Sequence, residues 1–419
     1  MRDAQLCLAY SLVCACLITT AVGCRKQRET AAADLPAQEA PPNQASAPAA
    51  AAPVLRHPGA FELVATSEGA TLLWAQGGCS SGIELQRFDA EGRANGAVTR
   101  IAACPDATAS AAAEVTDLSA AVGGGKLGVA WITRNAGGAQ VFGTHGADSG
   151  AAWAPTLQLG AAEPKAGSLR GQLSLVASNE GRHRVSWSGL EGPCSGESAR
   201  CAHVVSTPLP PAHNDSEPGA PRRLDTREIP QPCPRLLVGS LFKHGVWYDA
   251  FCAFDPARAG PVTEVYAIKP EIFYAEASPV LHDCTPLGVA PSQEGVLILG
   301  ECPDGLRVHA LDSARSRDTV IVRPTRTLAC DAGRPVLSLR AEPEAGGASE
   351  IYRLTGPMDR LEGWLPADIA GPGSRAAFTG RRLLVARVRA SADPKENRLL
   401  VTPYRCEGES VVSEPPAML

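Results

Sequence analysis

The chain has 419 residues and a formal net charge of −5, with 39 lysines and arginines against 44 acidic residues. Basic and acidic residues are interleaved, so no polyanion-binding face is indicated and nucleic acid is not an expected partner. The length is well above the size at which a large core forms. Such a chain either divides into domains or closes into one body through internal repeats.

The first residues predict a targeting segment. Arg2 is followed by an apolar run at 6–20 and then by small residues up to Cys24. The apolar run is too short and ends too abruptly for a typical membrane span. We therefore expect residues 1–23 to be a signal peptide for export.

Residues 21–24, Ala-Val-Gly-Cys, resemble the lipobox of bacterial lipoproteins, although leucine is usual where Ala21 stands. The resemblance implies cleavage before Cys24, a diacylglyceryl group on its sulfur, and attachment to the membrane at the outer membrane or the periplasmic face of the cell envelope. An uncleaved anchor and an ordinary signal peptide are the alternatives. The basic residues within 25–28 oppose export, because such residues favour the cytoplasmic side.

Residues 24–53 are rich in alanine, proline, glutamine and glutamate and contain almost no large apolar side chain. Such a stretch cannot bury enough surface to offset the entropy lost on ordering. We predict a disordered tether here, followed by a folded body at 54–419.

The folded body shows short apolar runs separated by Gly, Pro, Asp and Ser, which predict many short strands. Turn glycines Gly69, Gly125 and Gly181 recur every 56 residues, and a tryptophan follows each. Weaker copies centre on Gly245, Gly295, the pair Gly346-Gly347, and Gly380. Each unit continues into a second strand pair. The pattern predicts an all-β propeller of about seven four-stranded blades, and the short sixth unit leaves six blades or an irregular ring open.

The tryptophans Trp74, Trp131, Trp187 and Trp247 are interpreted as equivalent positions of successive blades. Side chains at equivalent positions favour a core between blades over a sugar-stacking platform. The runs at 72–75 and 83–92 resemble the blade repeat of bacterial secreted β-propeller proteins. That resemblance implies an architecture and no activity.

Ten cysteines follow Cys24, an even number without a Cys-x-x-Cys motif, which predicts disulfides in an oxidising compartment rather than zinc ligands. The repeat register places members of some pairs at the two ends of one hairpin, within reach of a disulfide. The predicted pairs are Cys79–Cys104, Cys194–Cys201, Cys233–Cys252, Cys284–Cys302 and Cys330–Cys406, the last near the closure of the ring.

Two short motifs imitate catalytic sequences. Residues 123–128 satisfy G-x-G-x-x-G and residues 78–82 satisfy G-x-S-x-G, but a strand rather than a helix follows each. We interpret them as a hairpin turn and an interstrand loop. The histidines are dispersed and form no ligand pair.

The sequence thus predicts no catalytic residue, no cofactor and no metal site, and a chain that is not an enzyme. The expected role is binding or scaffolding, with a propeller surface presented to an envelope protein or a glycan. The alternative is a glycan-active hydrolase or lyase with its site in the axial funnel.

Overall fold

The computed structural model describes part of the chain after residue 59. The described residues are 60–76, 81–102, 113–135, 138–149, 152–162, 173–193, 200–209, 222–228, 237–255, 257–258, 260–269, 272–291, 295–312, 316–321, 325–341, 350–354, 366, 369, 373–389, 391 and 397–416. The predicted signal peptide, Cys24 and the predicted tether lie outside them. Within the described residues, the named secondary-structure elements are 27 β-strands.

The strands form seven antiparallel sheets, each built from consecutive strands, which we number as blades 1 to 7 in chain order. Blade 1 contains β1 (Phe61–Thr66), β2 (Gly69–Ala75), β3 (Ile83–Asp89) and β4 (Ala94–Ala102). Blade 2 contains β5 (Glu114–Gly123), β6 (Lys126–Asn135), β7 (Gly138–Ala147) and β8 (Leu157–Ala162). Blade 3 contains β9 (Leu173–Ala177), β10 (His183–Pro193), β11 (Arg200–Leu209) and β12 (Arg222–Glu228). Blade 4 contains β13 (Leu237–Lys243), β14 (Val246–Asp255), β15 (Gly260–Lys269) and β16 (Ile272–His282).

The remaining blades follow the same plan. Blade 5 contains β17 (Thr285–Pro291), β18 (Gly295–Cys302), β19 (Gly305–Asp312) and β20 (Ser316–Ile321). Blade 6 contains β21 (Thr325–Asp331), β22 (Arg334–Ala341) and β23 (Glu350–Leu354). Blade 7 contains β24 (Arg375–Phe378), β25 (Leu383–Arg389), β26 (Arg398–Glu407) and β27 (Ser410–Ser413). Six blades have four strands, and blade 6 has three among the described residues.

The first strands of successive blades are neighbours around a common axis. β1 contacts β5, β5 contacts β9, β9 contacts β13, β13 contacts β17, and β24 returns to contact β1. Within each blade the strands are hydrogen-bonded in chain order, so the first strand lies at the inner edge. This radial arrangement confirms the predicted all-β propeller.

Tight turns join the first and second strands of several blades. Gly124-Gly125, His244-Gly245 and Ala332-Gly333 each place two successive residues at positive φ, the turn geometry that matches the twist of a hairpin. The turn at Ala332-Gly333 corrects the prediction of a sixth unit centred on Gly346-Gly347. Those glycines fall between β22 and β23, outside the described residues. β21 begins with three polar residues and lacks the longer apolar run that marks a first strand in the other units. The prediction therefore started this unit at the more apolar β22.

Trp74, Trp131 and Trp187 are buried between blades, as predicted, and each is 1% exposed. Trp187 packs against Gly160 of blade 2, where an added Cβ would lie 2.7 Å from the indole Cζ2 atom. The prediction that Trp247 lies at the equivalent position of blade 4 is wrong, because Phe251 lies there. Trp131 is paired with Leu118 and Trp187 with Leu173, and the corresponding pair in blade 4 is Phe251 with Leu237.

One kind of contact is found at two junctions between neighbouring blades. The first hairpin of one blade meets the turn between the third and fourth strands of the next blade. Ser67 donates a hydrogen bond to Asp148 (2.8 Å) between blades 1 and 2, and Thr379 donates to the carbonyl of Ala90 (2.7 Å) between blades 7 and 1. Blade 7 therefore meets blade 1 as blade 1 meets blade 2. Among the described residues, these contacts join the first and last blades, and each of those two blades contains only its own consecutive strands.

Candidate functional site

The two ends of the blades carry different connections. In a four-stranded meander, the first and third connections lie at one end, and the second connection and the link to the next blade lie at the other. Two long links between blades, from Ala102 to Glu114 and from Ala162 to Leu173, lie at the second end, whereas the long connection from Leu209 to Arg222 within blade 3 lies at the first. We call the second end, which carries these links between blades, the long-connection face. Loops of this kind commonly carry binding residues on a rigid scaffold.

Three arginines lie together at the long-connection face of blade 7. Arg389 and Arg398 are direct cross-strand partners at the open ends of β25 and β26, and Arg387 is two residues earlier on the same face of the sheet. Side chains at directly opposite positions have Cβ atoms about 4.5–5.5 Å apart, and like charges there are destabilising. We call these residues the arginine cluster.

The arginine cluster has unused hydrogen-bonding capacity. Arg387 and Arg389 are exposed, whereas Arg398 is half-buried and its Nη1 atom has no hydrogen-bond partner. Within the described part of the chain, no ion pair neutralises any of the three, although exposed Arg381 on the opposite face pairs with Glu91 at 2.6 Å. The cluster is therefore a site at which an acidic group would be stabilised.

A second polar site is buried between blades 3 and 4. Arg184 of β10 donates through Nη2 to Asp249 of β14 (2.9 Å) and through Nε to Ser206 of β11. Ser186 lies 3.3 Å from both carboxylate oxygens of Asp249 and 3.2 Å from Ser206 Oγ. Asp249 is 1% exposed, Ser186 is fully buried and Arg184 is 9% exposed. We call this group, with Ser174, Ser188 and Ser240, the polar seam.

Strand alternation explains the polar seam. In β10, Val185 and Trp187 face blade 2 and join an apolar cluster there, so Arg184, Ser186 and Ser188 face blade 4. Among the described residues, the buried apolar clusters span blades 7, 1 and 2, blades 2 and 3, blades 4 and 5, and blades 5 to 7. Between blades 3 and 4, hydrogen bonds and one ion pair make the contact that apolar clusters make between the other blades.

A second buried ion pair lies at the junction of blades 7 and 1. Arg375 Nε lies 3.3 Å from Glu62 Oε1, and the guanidinium carbon lies 5.6 Å from the centre of the Phe61 ring. Glu62 is 2% exposed and Arg375 is 8% exposed. Each buried carboxylate here and in the polar seam thus has one arginine partner, an arrangement that holds blades together.

His183 lies between blades 2 and 3, where its Nε2 donates to the carbonyl of Ala121 (3.2 Å). Burial is the main cause that lowers its pKa from 6.5 to about 4, and the nearby charges of His145 and Lys126 act in the same direction. Burial and Lys126 also lower the pKa of His145. Both imidazoles are therefore held in the neutral form at neutral pH.

The structure shows two of the predicted disulfides. Cys284 is bonded to Cys302, as the repeat register predicted, and Cys330 is bonded to Cys406, the pair that remained. Cys252 is disulfide-bonded, but its predicted partner Cys233 lies outside the described residues. Also outside the described residues are Cys79, Cys104, Cys194 and the side chain of Cys201.

Other features of the predicted site can be placed. Residues 123–128 form the hairpin turn between β5 and β6, as expected, while most of the motif at 78–82 lies outside the described residues. In the described ranges there is no group of three or more His, Cys, Asp or Glu side chains suited to a metal ion. Nor does that part of the chain include a helix long and apolar enough to cross a membrane.

Comparison with known proteins finds likeness at the level of architecture. No protein-family model and no curated protein matches the chain. Among solved structures it is similar to an acylaminoacyl peptidase of Pyrococcus horikoshii, with 10% identity and a TM-score of 0.40 over 84% of this chain. The aligned part is 52% of the peptidase, so the chain spans about half of that protein.

Two further structures show the same likeness. The β-propeller domain of the Trilobed protease from Pyrococcus furiosus has 9% identity and a TM-score of 0.38, over 84% of this chain and 95% of that domain. A Trypanosoma rangeli sialidase in complex with 2,3-difluorosialic acid has 9% identity and a TM-score of 0.37, over 75% of this chain and 56% of the sialidase.

These comparisons correct the prediction that the chain is not an enzyme, since the similar structures come from peptidases and a sialidase. The prediction rested on missing sequence motifs, and a propeller assembles its sites from residues far apart in sequence. At 8 to 10% identity the likeness is one of fold and assigns no activity.

Proposed function

We propose that this chain is a cell-envelope binding protein whose propeller presents the arginine cluster to an acidic segment of a partner protein. The observation that carries the proposal is the direct cross-strand pairing of Arg389 with Arg398, beside Arg387, at the long-connection face. Two cations placed opposite each other cost free energy in the isolated sheet. A bound carboxylate would offset that cost.

The chemistry of arginine fits a carboxylate partner. A planar guanidinium donates two parallel hydrogen bonds to a carboxylate, and it keeps its charge at every physiological pH. Exposed Arg387 and Arg389 are available for such bonds, and the unbonded Nη1 of Arg398 supplies a further donor. Clustered positive charge also increases the association rate of an acidic partner.

A protein partner is favoured over a glycan held by ring stacking. The tryptophans that could form a stacking platform, Trp74, Trp131 and Trp187, are each 1% exposed and fill the space between blades. Among the described residues, the exposed large apolar side chain is Val98. Recognition by charge and hydrogen bonds is thus better supported than recognition by aromatic stacking.

The proposed location is the bacterial cell envelope, with a lipid on Cys24 and residues 24–53 as a spacer. The disulfides Cys284–Cys302 and Cys330–Cys406 support an oxidising compartment, where such bonds persist. If the proposal holds, labelled palmitate enters the wild-type protein and a Cys24→Ser variant accumulates as an unprocessed precursor. Absence of label in the wild type would reject lipidation, while leaving export to be judged from the processed N-terminus.

The binding proposal is tested by titrating the purified protein with a short polyglutamate peptide at low salt. The double variant Arg389→Gln/Arg398→Gln should weaken binding at least tenfold, because each charge-assisted hydrogen bond contributes about 1.5–3 kcal/mol. Arg182→Gln is the matched control, since Arg182 is exposed on the opposite face and pairs with Glu180. Equal affinity of the double variant and the wild type would overturn the proposal.

The same titration with an oligogalacturonate separates the two kinds of partner. Tighter binding of this acidic glycan than of the peptide, lost in the same double variant, would replace the protein partner by a glycan. Turnover of any substrate in a glycosidase panel would instead favour the alternative of a glycan-active enzyme.

A further inference from the structure

Four polar atoms of the polar seam have no hydrogen-bond partner among the described residues. They are Arg184 Nη1 and the Oγ atoms of Ser174, Ser188 and Ser240. Their residues are 9%, 1%, 3% and 9% exposed, so bulk solvent does not reach these atoms. A buried polar group without a partner costs about 1–3 kcal/mol, which makes four of them in one seam a large combined penalty.

The four atoms belong to facing strands of two blades. Ser174 of β9 is the cross-strand partner of Ser186, and Ser186 is also the partner of Ser206, so three serines form a row across blade 3. Ser240 of β13 is the cross-strand partner of Asp249, the residue that bonds to Arg184. The unbonded groups therefore belong to both blades and lie on the same sheet faces as Arg184 and Asp249.

The charge balance limits what can bind in the polar seam. Asp249 already neutralises Arg184 at 2.9 Å, so a buried anion or cation would bring an uncompensated charge into a place from which solvent is excluded. A neutral ligand avoids that cost. It must accept a hydrogen bond from the guanidinium and both donate to and accept from serine hydroxyls.

We propose that the polar seam is an internal hydration site in which ordered water bridges Arg184 Nη1 to the serine hydroxyls of blades 3 and 4. Water is the smallest neutral molecule with two donors and two acceptors, and buried water typically makes about three bonds to otherwise unsatisfied groups. Bridging water thus links the two blades at the seam that no described apolar cluster spans. This site is independent of the arginine cluster and of the proposed partner.

A crystal structure at a resolution that shows ordered solvent tests the proposal directly. We expect electron density for water within about 2.7–3.2 Å of Arg184 Nη1 and of at least one of the three unbonded serine hydroxyls. If Arg184 Nη1 and these hydroxyls bond instead to protein groups, or if the density belongs to an ion, the proposal is wrong.

A solution measurement keeps the proposal testable without crystals. Oxygen-17 relaxation dispersion detects water with a long residence time, and the wild type should give a signal that falls in Ser188→Val/Ser240→Val. These valines remove two hydroxyls and fill the space beside them. Ser410→Ala, at the exposed first residue of β27, should leave the signal unchanged. A folded double variant with an undiminished signal would overturn the proposal.

Discussion

At the scale of single residues, the buried ion pairs are what the sequence could least predict. Arg184 and Asp249 are 65 residues apart and lie in different blades, so their contact depends on how two sheets pack. By contrast, the burial of Trp74, Trp131 and Trp187 could be predicted, because the repeat places them after successive turns. Local periodicity identifies which positions are equivalent, but it does not identify the partner that a buried charge has in the next blade.

Removing one partner of the Arg184–Asp249 pair should lower the free energy of unfolding by more than the loss of a single hydrogen bond would. Asp249→Asn leaves the guanidinium buried without a counter-charge, so the free energy of unfolding should fall by about 3–5 kcal/mol. Asp148→Asn, which alters an exposed hydrogen bond with Ser67, should cost about 1 kcal/mol or less. Urea denaturation of both variants measures the difference. Similar small losses in both would contradict the role given to the buried pair.

His183 should make stability depend on pH. Its pKa is lowered to about 4 in the folded protein, whereas the unfolded chain takes up this proton near pH 6.5. The unfolded state thus binds more protons between these values, so the free energy of unfolding falls as pH decreases from 6.5 to 4. One histidine contributes at most about 1.4 kcal/mol per pH unit, and His183→Gln should reduce the slope by up to that amount.

The control for this pH dependence is His244→Gln, because His244 is exposed in the turn of blade 4. His309 also has a pKa lowered to about 4 by burial, so a slope should persist in the His183 variant. Denaturant titrations at several pH values measure the slopes. An unchanged slope in His183→Gln would contradict the assignment.

At the scale of elements, hairpins were predicted best where glycine is required by geometry. Gly245 has a φ of 78° in a two-residue turn, and the sequence identified it. The prediction misplaced the sixth blade because β21 begins with the polar residues 325–327 and has only a three-residue apolar run. Trp247 was misassigned because the tryptophan, rather than the register, was taken to mark the equivalent position.

Two turn glycines should differ in how badly they tolerate alanine. An added Cβ at Gly69 would lie 2.1 Å from the carbonyl oxygen of Phe88, so β2 and β3 must separate. At Gly245 an added Cβ meets nothing within 4 Å, and the cost comes from positive φ alone, about 1–2 kcal/mol. Gly69→Ala should therefore lower the free energy of unfolding by more than Gly245→Ala. The reverse order in urea denaturation would refute this explanation.

The Cys330–Cys406 disulfide should stabilise more than the Cys284–Cys302 disulfide. The first closes a loop of 76 residues and the second a loop of 18. In the chain-entropy model these loops correspond to about 4 and about 3 kcal/mol. Serine substitution of each pair, followed by denaturation, compares them. A larger loss for the shorter loop would show that packing around buried Cys284 outweighs loop closure.

At the scale of the whole molecule, the repeat predicted the architecture but not the way in which the ring closes. The spacing of turn glycines indicated about seven units, and the structure has seven sheets among the described residues. Closure depends on contacts such as Thr379 with Ala90, which are 289 residues apart, and on Arg375 with Glu62. Sequence periodicity does not identify contacts between the first and last units.

The closed ring separates two ends with different chemistry, and this separation bears on function. Tight turns such as His244-Gly245 lie at one end, whereas the arginine cluster and links between blades such as Ala102 to Glu114 lie at the other. A partner that binds by charge should therefore approach from the long-connection face. Loss of binding in an arginine variant alone would not establish this direction of approach.

The most direct test is site-specific photo-cross-linking on the intact protein in cells. A photoreactive amino acid replaces Arg387, at the edge of the cluster, in one variant and exposed His244, at the opposite end, in another. We expect a discrete cross-linked protein from position 387, weakened when Arg389→Gln is added, and none from position 244. Cross-linking from position 244 alone, or equally from both positions, would contradict binding through the long-connection face.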